Sequence, residues 1–176
     1  ITANAVCEKD GFVYIGTDEG LYIISPDGDI VSNELTEFLS DTSITDIIAD
    51  NKGNLWIATY RRYGVVRYSK SRRIVTVNRS KGLISNLVNC LCELSSGKIA
   101  VGTEEGISII EYSGDVESSI GYDNGLESPN ISVIYEDTDG TLYAGSDGGG
   151  LYSVKDSDIS VYTEDDGLNS NVITAI

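Results

Sequence analysis

Histidine is absent from the 176-residue sequence, and this absence excludes several kinds of active site. A Ser-His-Asp triad, a cysteine–histidine pair, a histidine phosphoacceptor and histidine metal ligands cannot form within the chain. Methionine is also absent, and proline occurs only twice. The three cysteines, Cys7, Cys90 and Cys92, do not make the even number of a disulfide framework, so we expect small buried hydrophobic residues.

Positive charge is scarce, because 12 lysines and arginines stand against 28 aspartates and glutamates, a formal net charge of −16. A surface this acidic repels phosphate backbones and anionic lipids, so neither nucleic acid nor direct membrane contact is expected. No apolar run of about 18 residues and no signal-peptide pattern occurs.

Two acidic stretches invite comparison with calcium loops, namely SPDGD (25–29) and EDTDGT (136–141). Neither has the longer loop with a closing glutamate that calcium requires. Asp-Gly favours tight hairpin turns, so we interpret both stretches as turns and expect neither a metal nor a cofactor.

Glycine and tyrosine are abundant, with 19 and 11 copies, which favours strands joined by tight turns. The sequence also repeats itself. Four segments align without a gap: GFVYIGT (11–17), GNLWIAT (53–59), GKIAVGT (97–103) and GTLYAGS (140–146). Their leading glycines are 42, 44 and 43 residues apart, and each block continues with signals for a second hairpin. The count is therefore four strands per block.

The central strands are apolar without alternation, which indicates sheets that are covered on both faces. Radial stacking of such sheets, with a period of about 40 to 50 residues, is typical of a propeller. We therefore predict an all-β chain, a β-propeller made of four-stranded antiparallel blades, with about four blades. The predicted boundaries are 1–41, 42–85, 86–128 and 129–170, with 171–176 beginning a fifth repeat.

An open arc of four blades leaves an apolar face in water at each end, which is costly. The blades must therefore close into a ring, stack with a second copy of the chain, or continue into further blades of the parent chain.

The repeated pattern resembles the two-component regulator propeller repeats found in outward-facing sensor regions of bacterial signalling proteins. The motif runs from a GLxSN loop through an apolar strand to DG.LW.GT..GL. The third and fourth blocks match it at Gly125, Leu126, Asn130, Asp139, Gly140, Leu142, Gly145, Gly150 and Leu151. Departures from the motif are conservative at most positions, although Trp56 is the only tryptophan.

The resemblance implies a sensor region, periplasmic or extracellular, of a membrane-anchored parent protein. An output domain such as a histidine kinase or a diguanylate cyclase would lie elsewhere in that protein, so this chain is not expected to be an enzyme. Known ligands of the family are often carbohydrates, so the implied partner is an oligosaccharide or another small ligand.

In a propeller, the loops between the second and third strands and the loops between blades gather at one face. The first set supplies Asp18, Tyr60, Arg61, Arg62, Tyr63, Glu104, Glu105 and Asp147 as candidate ligand-binding residues. The second set supplies Asn86, Asn130 and Asn171.

The segment YRRYG (60–64) is two residues longer than the equivalent DEG and EEG loops. Arginine binds planar anions in two-point fashion and tyrosine stacks on sugar rings, which suits a carboxylated or sulfated sugar. Alternatively, Arg61 and Arg62 pair with Asp18, Glu19, Glu104 or Glu105 and only hold the loops together.

Eight of the twelve positive residues lie within residues 61–81. Arg72 and Arg73 are expected at an outer hairpin. They form either a solvated edge or a docking site for an acidic neighbour. Three functions therefore remain open. The chain is a sensor module, a lyase-like enzyme in which Tyr60 or Tyr63 acts as the base, or a passive interaction platform.

Overall fold

The computed structural model describes residues 2–156 and 158–176 and contains four four-stranded antiparallel sheets, each with its strands in sequence order. Blade 1 consists of β1 (Ala3–Lys9), β2 (Phe12–Thr17), β3 (Gly20–Ile24) and β4 (Ile30–Val31), and blade 2 of β5 (Ile44–Ala49), β6 (Leu55–Thr59), β7 (Val65–Tyr68) and β8 (Ile74–Val77). Blade 3 consists of β9 (Val88–Glu93), β10 (Ile99–Thr103), β11 (Gly106–Ile110) and β12 (Val116–Ile120), and blade 4 of β13 (Ile131–Glu136), β14 (Leu142–Ser146), β15 (Leu151–Lys155) and β16 (Asp158–Tyr162). The predicted all-β architecture of four-stranded blades is confirmed.

In the described residues, helical structure occurs only in the links that follow the outer strands. Three 3-10 turns occupy Arg79–Lys81, Tyr122–Asn124 and Glu164–Asp166, and a short helix, α1 (Glu34–Phe38), takes the same place in blade 1. Asn33 caps α1 by accepting hydrogen bonds from the backbone of Leu35 and Thr36. None of the helices in the described ranges is long and apolar enough to cross a membrane.

The core lies between the blades. Every residue of β6 and β10 is buried, as the apolar runs predict for strands covered on both faces. Three apolar clusters fill the seams, one between each pair of neighbouring blades. The stability of each sheet therefore depends on its neighbours.

A small residue in the second strand of each blade lets the next blade approach. A Cβ atom at Gly16 would lie 2.4 Å from Ile44 Cγ2, and one at Gly145 would lie 2.6 Å from Ile173 Cγ2. At Gly102 the corresponding distance to Ile131 Cγ2 is 2.9 Å. Distances this short exclude a side chain, so the glycine in GT is a packing requirement.

The inner strands of neighbouring blades are also joined by polar contacts. In blades 1, 2 and 3, a side chain near the start of the inner strand donates a hydrogen bond to a backbone carbonyl of the following blade. The pairs are Asn4 Nδ2 with Ile44 O at 3.1 Å, Thr45 Oγ1 with Val88 O at 2.8 Å, and Asn89 Nδ2 with Ile131 O at 2.9 Å. Each pair spans one seam and fixes the spacing of the blades around the axis.

Asp50 organises the first turn of blade 2. Its Oδ1 accepts hydrogen bonds from the backbone N–H groups of Lys52 and Asn54, and its Oδ2 accepts from Asn54 Nδ2 and from Trp56 Nε1 at 2.8 Å. Burial alone would raise the pKa of Asp50, but these hydrogen bonds outweigh it and hold the pKa below its ordinary value. The ionised carboxylate thus connects the DNKGN turn to the indole of the only tryptophan.

The outer faces of the two end blades are exposed. Val6 and Ile30 on blade 1 are 65% and 75% exposed. On blade 4, Tyr135 and Tyr162 are 46% and 45% exposed. Ile173 begins to cover blade 4, because its side chain packs over Gly145. Both ends therefore present apolar surface to solvent, as expected for an open arc.

The cysteines are free thiols, and burial raises the pKa of Cys90 to about 12. Cys90 is buried as expected, whereas Cys7 and Cys92 are only half-buried. Both acidic stretches form hairpin turns, closed by the bonds Gly28 N to Ser25 O and Gly140 N to Asp137 O. These loops contain three residues rather than the two that Asp-Gly favours, and the glycine takes the left-handed position. The described residues contain no cluster suited to a metal ion.

We expect Gly16→Ala to lower the free energy of unfolding by about 2 kcal/mol, because the new methyl group overpacks against Ile44. In an Ile44→Ala background, Gly16→Ala should lower the free energy of unfolding by a smaller amount, since the Ile44 Cγ2 atom has been removed. Ile44→Val keeps Cγ2 and should preserve the full cost. Urea unfolding of these variants forms a double-mutant cycle. An equal cost in all three backgrounds would contradict the packing requirement.

We expect Asp50→Asn to destabilise the protein by about 2 kcal/mol at neutral pH, through its loss of charged hydrogen bonds. Because the folded pKa of Asp50 lies below the ordinary value of 3.8, its contribution is present above that pH and disappears as the pH falls through the folded pKa. The stability difference between wild type and Asp50→Asn should therefore shrink on acidification, as measured by chemical unfolding from pH 7 to about pH 2.5.

Asp27→Asn serves as the control, because Asp27 is exposed at a hairpin tip. It should leave stability unchanged at each pH. A difference between wild type and Asp50→Asn that stays constant over the whole range would refute the role given to the ionised carboxylate.

Candidate functional site

One face of the propeller is formed by the loops between the second and third strands together with the links between blades. Backbone hydrogen bonds join the two sets: Tyr60 N donates to Ser43 O at 2.9 Å and Arg61 N donates to Asn86 O at 3.0 Å. In blade 4, Asp147 N donates to Asn130 O at 2.9 Å. We call this surface the loop face. It contains the candidate residues of both sets.

A threonine or serine at the end of the second strand closes each of these loops, and in blade 4 it is Ser146, whose Oγ donates to Gly150 O at 3.2 Å. Thr59 Oγ1 donates to Gly64 O at 2.9 Å and accepts a hydrogen bond from Tyr63 N at 3.1 Å. Thr17 and Thr103 make the same donation across their shorter loops. The loop at 60–64 is thus an enlarged form of the common design, with Arg61 at φ +79°.

The four residues of YRRY separate into two pairs. Tyr60 and Arg61 lie toward blade 3, where the Tyr60 hydroxyl donates to Glu104 Oε1 at 2.5 Å. This hydrogen bond raises the pKa of Tyr60, with smaller contributions from desolvation and from the charge of Glu104. The Arg61 guanidinium lies 5.2 Å from the centre of the Tyr60 ring. This pair and Glu104 form one cluster.

Arg62 and Tyr63 lie toward blade 1. Arg62 Nη1 donates to Ser40 O at 3.0 Å, and the Tyr63 hydroxyl donates to Phe38 O at 3.3 Å. The rings of Tyr63 and Phe38 stack with centroids 4.5 Å apart. This second pair anchors the loop to the blade 1–blade 2 seam, and Phe38 is a partner that sequence reasoning did not identify.

The neighbouring acids bind other groups. Glu105 pairs with Arg79 at 2.7 Å, and Asp18 accepts a hydrogen bond from Asn4 at 2.8 Å. Within the described residues, neither Arg61 nor Arg62 forms an ion pair. The sequence indicated the pairing of Arg79 with Glu105 only through the position of Arg79 in the basic segment.

The asparagines of the links have structural partners. Asn86 Oδ1 accepts from Arg79 N and Asn171 Oδ1 accepts from Glu164 N, both at 2.8 Å, so each closes the seven-residue loop that precedes it. Asn130 Oδ1 accepts from Asn89 Nδ2 at 3.0 Å, and its own amide reaches Asp147 at 3.4 Å. The structure therefore brings Asn86 near Arg61 but places Asn130, Asp147 and Asn171 at blade 4.

The rest of the basic segment is dispersed. The Arg67 guanidinium lies between the rings of Trp56 and Tyr112, 5.7 and 5.3 Å from their centres, in the blade 2–blade 3 seam. Lys81 Nζ donates to Thr76 O at 2.5 Å. Lys70 and Arg72 line a cleft between blades 1 and 2, at the ends of the strands opposite the loop face. The cluster in the sequence therefore corresponds to several separate contacts.

Comparison with known proteins identifies one family. The model described as "Two component regulator propeller" matches residues 39–61 and 125–148. Both matches run through the blade link and the first two strands, where the sequence analysis located the motif. No curated protein sequence matches the chain.

Solved structures with the same fold include extracellular domains of two component systems and an enzyme. The extracellular domain of a protein described as a hybrid two component system of B. thetaiotaomicron matches with a TM-score of 0.78 at 19% identity, over 98% of this chain and 24% of that chain. A second such domain from B. thetaiotaomicron gives a TM-score of 0.54 at 20% identity, over 96% and 29%. Virginiamycin B lyase from Staphylococcus aureus gives a TM-score of 0.71 at 17% identity, over 90% and 54%.

The chain thus spans about a quarter of the length of the first extracellular domain and about half of the lyase. At these identities the structural likeness shows the fold. The family model therefore identifies two segments, 39–61 and 125–148, as similar to two-component regulator propeller repeats, and the four-stranded blades show that both segments lie in a propeller fold.

Proposed function

We propose that this chain belongs to the sensor region of a bacterial two-component signalling protein, outside the cytoplasm, and binds an oligosaccharide that carries a carboxylate or a sulfate. The repeats and the structural likeness to extracellular domains of two component systems support the sensor assignment. Membrane anchoring and an output domain belong to the parent protein under this proposal.

The ligand proposal rests on the exposure and the surroundings of the Arg61 side chain. Its guanidinium is exposed, lies beside the Tyr60 ring and has no acidic partner in the described part of the chain. A guanidinium in this position can bind a carboxylate or sulfate through two parallel hydrogen bonds. The neighbouring Glu104 accepts hydrogen bonds and suits sugar hydroxyl groups.

Binding rather than catalysis is favoured by two observations. The hydrogen bond to Glu104 raises the pKa of Tyr60, so this hydroxyl is a poor base near neutral pH. A histidine-to-alanine variant of virginiamycin B lyase is described as catalytically inactive, and this chain contains no histidine. The fold that the two proteins share does not carry the enzymatic function with it.

The exposed end faces support further blades of the same parent chain as the neighbours of blades 1 and 4. Val6 and Tyr135 are exposed at opposite ends of the arc, although the equivalent faces of blades 2 and 3 are buried. Ile173 repeats the contact that Ile44 and Ile131 make in the preceding seams. Additional blades would extend the same packing at both ends.

We expect Arg61→Ala to weaken binding of an anionic oligosaccharide at least tenfold, with little change in melting temperature, because the exposed Arg61 side chain forms no ion pair with the described residues. A screen of neutral and anionic oligosaccharides by thermal shift, followed by calorimetry on the hits, measures both quantities. Arg62→Ala should also lower the melting temperature, since it removes the contact with Ser40 O.

Arg73→Ala is the matched control and should bind like the wild type. Unchanged affinity in Arg61→Ala would remove the ligand role of this residue. Formation of unsaturated sugar products would establish a lyase instead. Stabilisation by an acidic protein, with no response to any oligosaccharide, would establish an interaction platform.

We expect the isolated 176-residue chain to associate with increasing concentration, because its end faces are uncovered. Val6→Lys combined with Tyr135→Lys should suppress this association in analytical ultracentrifugation. Tyr122→Lys is the control, because Tyr122 is 71% exposed but lies in a 3-10 turn of blade 3. A discrete dimer that survives the end-face substitutions would contradict the proposal of further blades.

A further inference from the structure

A cleft of about 430 Å³ opens between blades 1 and 2, away from Arg61. All four strands of blade 1 and the link after β4 supply one wall. The turns β5–β6 and β7–β8 of blade 2, with the adjoining ends of β6 and β7, supply the other. These turns lie at the opposite ends of the strands from the loop 60–64, because the strands are antiparallel. The volume falls within the range of about 300 to 1,000 Å³ found for small-molecule sites.

The charge of the cleft differs from that of the chain. Of its thirteen lining residues, three are basic (Lys9, Lys70 and Arg72) and none is acidic. In the whole chain, acids outnumber basic residues 28 to 12. The cleft is thus a local positive site on an acidic protein, where anions are attracted.

Two of the three basic groups have no ionic partner in the described residues. Lys9 pairs with Asp10 at the rim, whereas Lys70 and Arg72 form no ion pair there. Glu34 approaches the cleft but accepts a hydrogen bond from the Tyr68 hydroxyl at 3.3 Å. The hydrogen bond from Lys9 and, to a smaller extent, the charge of Lys70 lower the pKa of Asp10, so this acid lies near both lysines. Lys70 and Arg72 nonetheless form no direct ion pair with an acid in the described residues.

The floor of the cleft is apolar and aromatic. Ile23 and Leu55 are each 1% exposed, and the half-buried rings of Phe12, Tyr14 and Tyr68 stand around them. The Tyr14 hydroxyl has no hydrogen-bond partner within the described ranges, and burial raises its pKa, so it remains a neutral donor. An apolar floor with hydroxyl donors and a basic rim fits a ring that bears one negative charge.

The Lys70 side chain is held by the neighbouring turn. A Cβ atom at Gly53 would lie 2.2 Å from Lys70 Cε, so the lysine stem crosses directly over this glycine. Gly53 has φ +80°, a left-handed conformation that glycine adopts without strain. The glycine that opens each repeated segment therefore leaves space, in blade 2, for the Lys70 side chain at the mouth of the cleft.

From these contacts we infer that the cleft between blades 1 and 2 is a second ligand site, which binds a small ring-bearing carboxylate, a hexuronate sugar, through Lys70 and Arg72. The aromatic floor contacts the apolar face of the ring, and the two cations bind the carboxylate. The cleft lies at the opposite end of the strands from the loop face, so this inference does not rest on the ligand role proposed for Arg61.

The test titrates glucuronate and galacturonate, with glucose as the neutral probe, into the isotopically labelled chain and follows amide shifts by NMR. A hexuronate should shift the Gly53 and Tyr68 signals, and glucose should shift them only at concentrations at least tenfold higher. Lys70→Gln and Arg72→Gln should each weaken the hexuronate at least tenfold.

Arg73→Gln is the matched control, because Arg73 neighbours Arg72 in sequence but does not line the cleft. In Arg61→Ala the Gly53 and Tyr68 signals should still shift at the same hexuronate concentrations, which separates the cleft from the loop face whatever happens at Arg61. Hexuronate binding that is lost in Arg61→Ala and retained in Lys70→Gln would overturn the inference. Equal binding of glucose and glucuronate, or no binding of either at millimolar concentration, would also overturn it.

Discussion

The structure depends on the close approach of each inner strand to the second strand of the blade before it. Gly16, Gly102 and Gly145 provide the space, and an isoleucine of the next blade fills it in each case. Blade 2 has Ala58 at the equivalent position, packed in the same cluster as Val88. Because the interlocking apolar surfaces lie between sheets rather than within them, no blade has a complete core of its own. The order of the blades and the direction of their loops follow from this contact.

The charge distribution follows the same seams. Arg67, between Trp56 and Tyr112, stabilises the blade 2–blade 3 seam, and Arg79 binds Glu105 on the loop face. Lys70 and Arg72 face the cleft between blades 1 and 2. Basic residues that are adjacent in the sequence thus serve different seams, because successive strands of one blade run in opposite directions and carry them to opposite ends.

The repeat made the fold predictable. The spacing of Gly11, Gly53, Gly97 and Gly140 and the apolar runs that follow them indicated four-stranded blades covered on both faces, as the structure shows. The individual side-chain contacts could not be predicted in the same way. Nothing in the sequence indicates that Arg61 and Arg62 turn toward different blades, since that depends on the left-handed backbone at Arg61. The cleft was also hidden, because Lys9 and Lys70 are 61 positions apart and meet only through the packing of two sheets.

The loop 60–64 touches more of the molecule than its length implies. Tyr60 reaches blade 3 through Glu104, and Arg62 and Tyr63 reach the segment that ends blade 1 through Ser40 and Phe38. Five consecutive residues consequently connect three blades across two seams. A small shift at either seam would change the distance between the Tyr60 contact with blade 3 and the Arg62 and Tyr63 contacts with the end of blade 1. Arg61 lies between these contacts, so the position of its guanidinium depends on the relative tilt of the three blades.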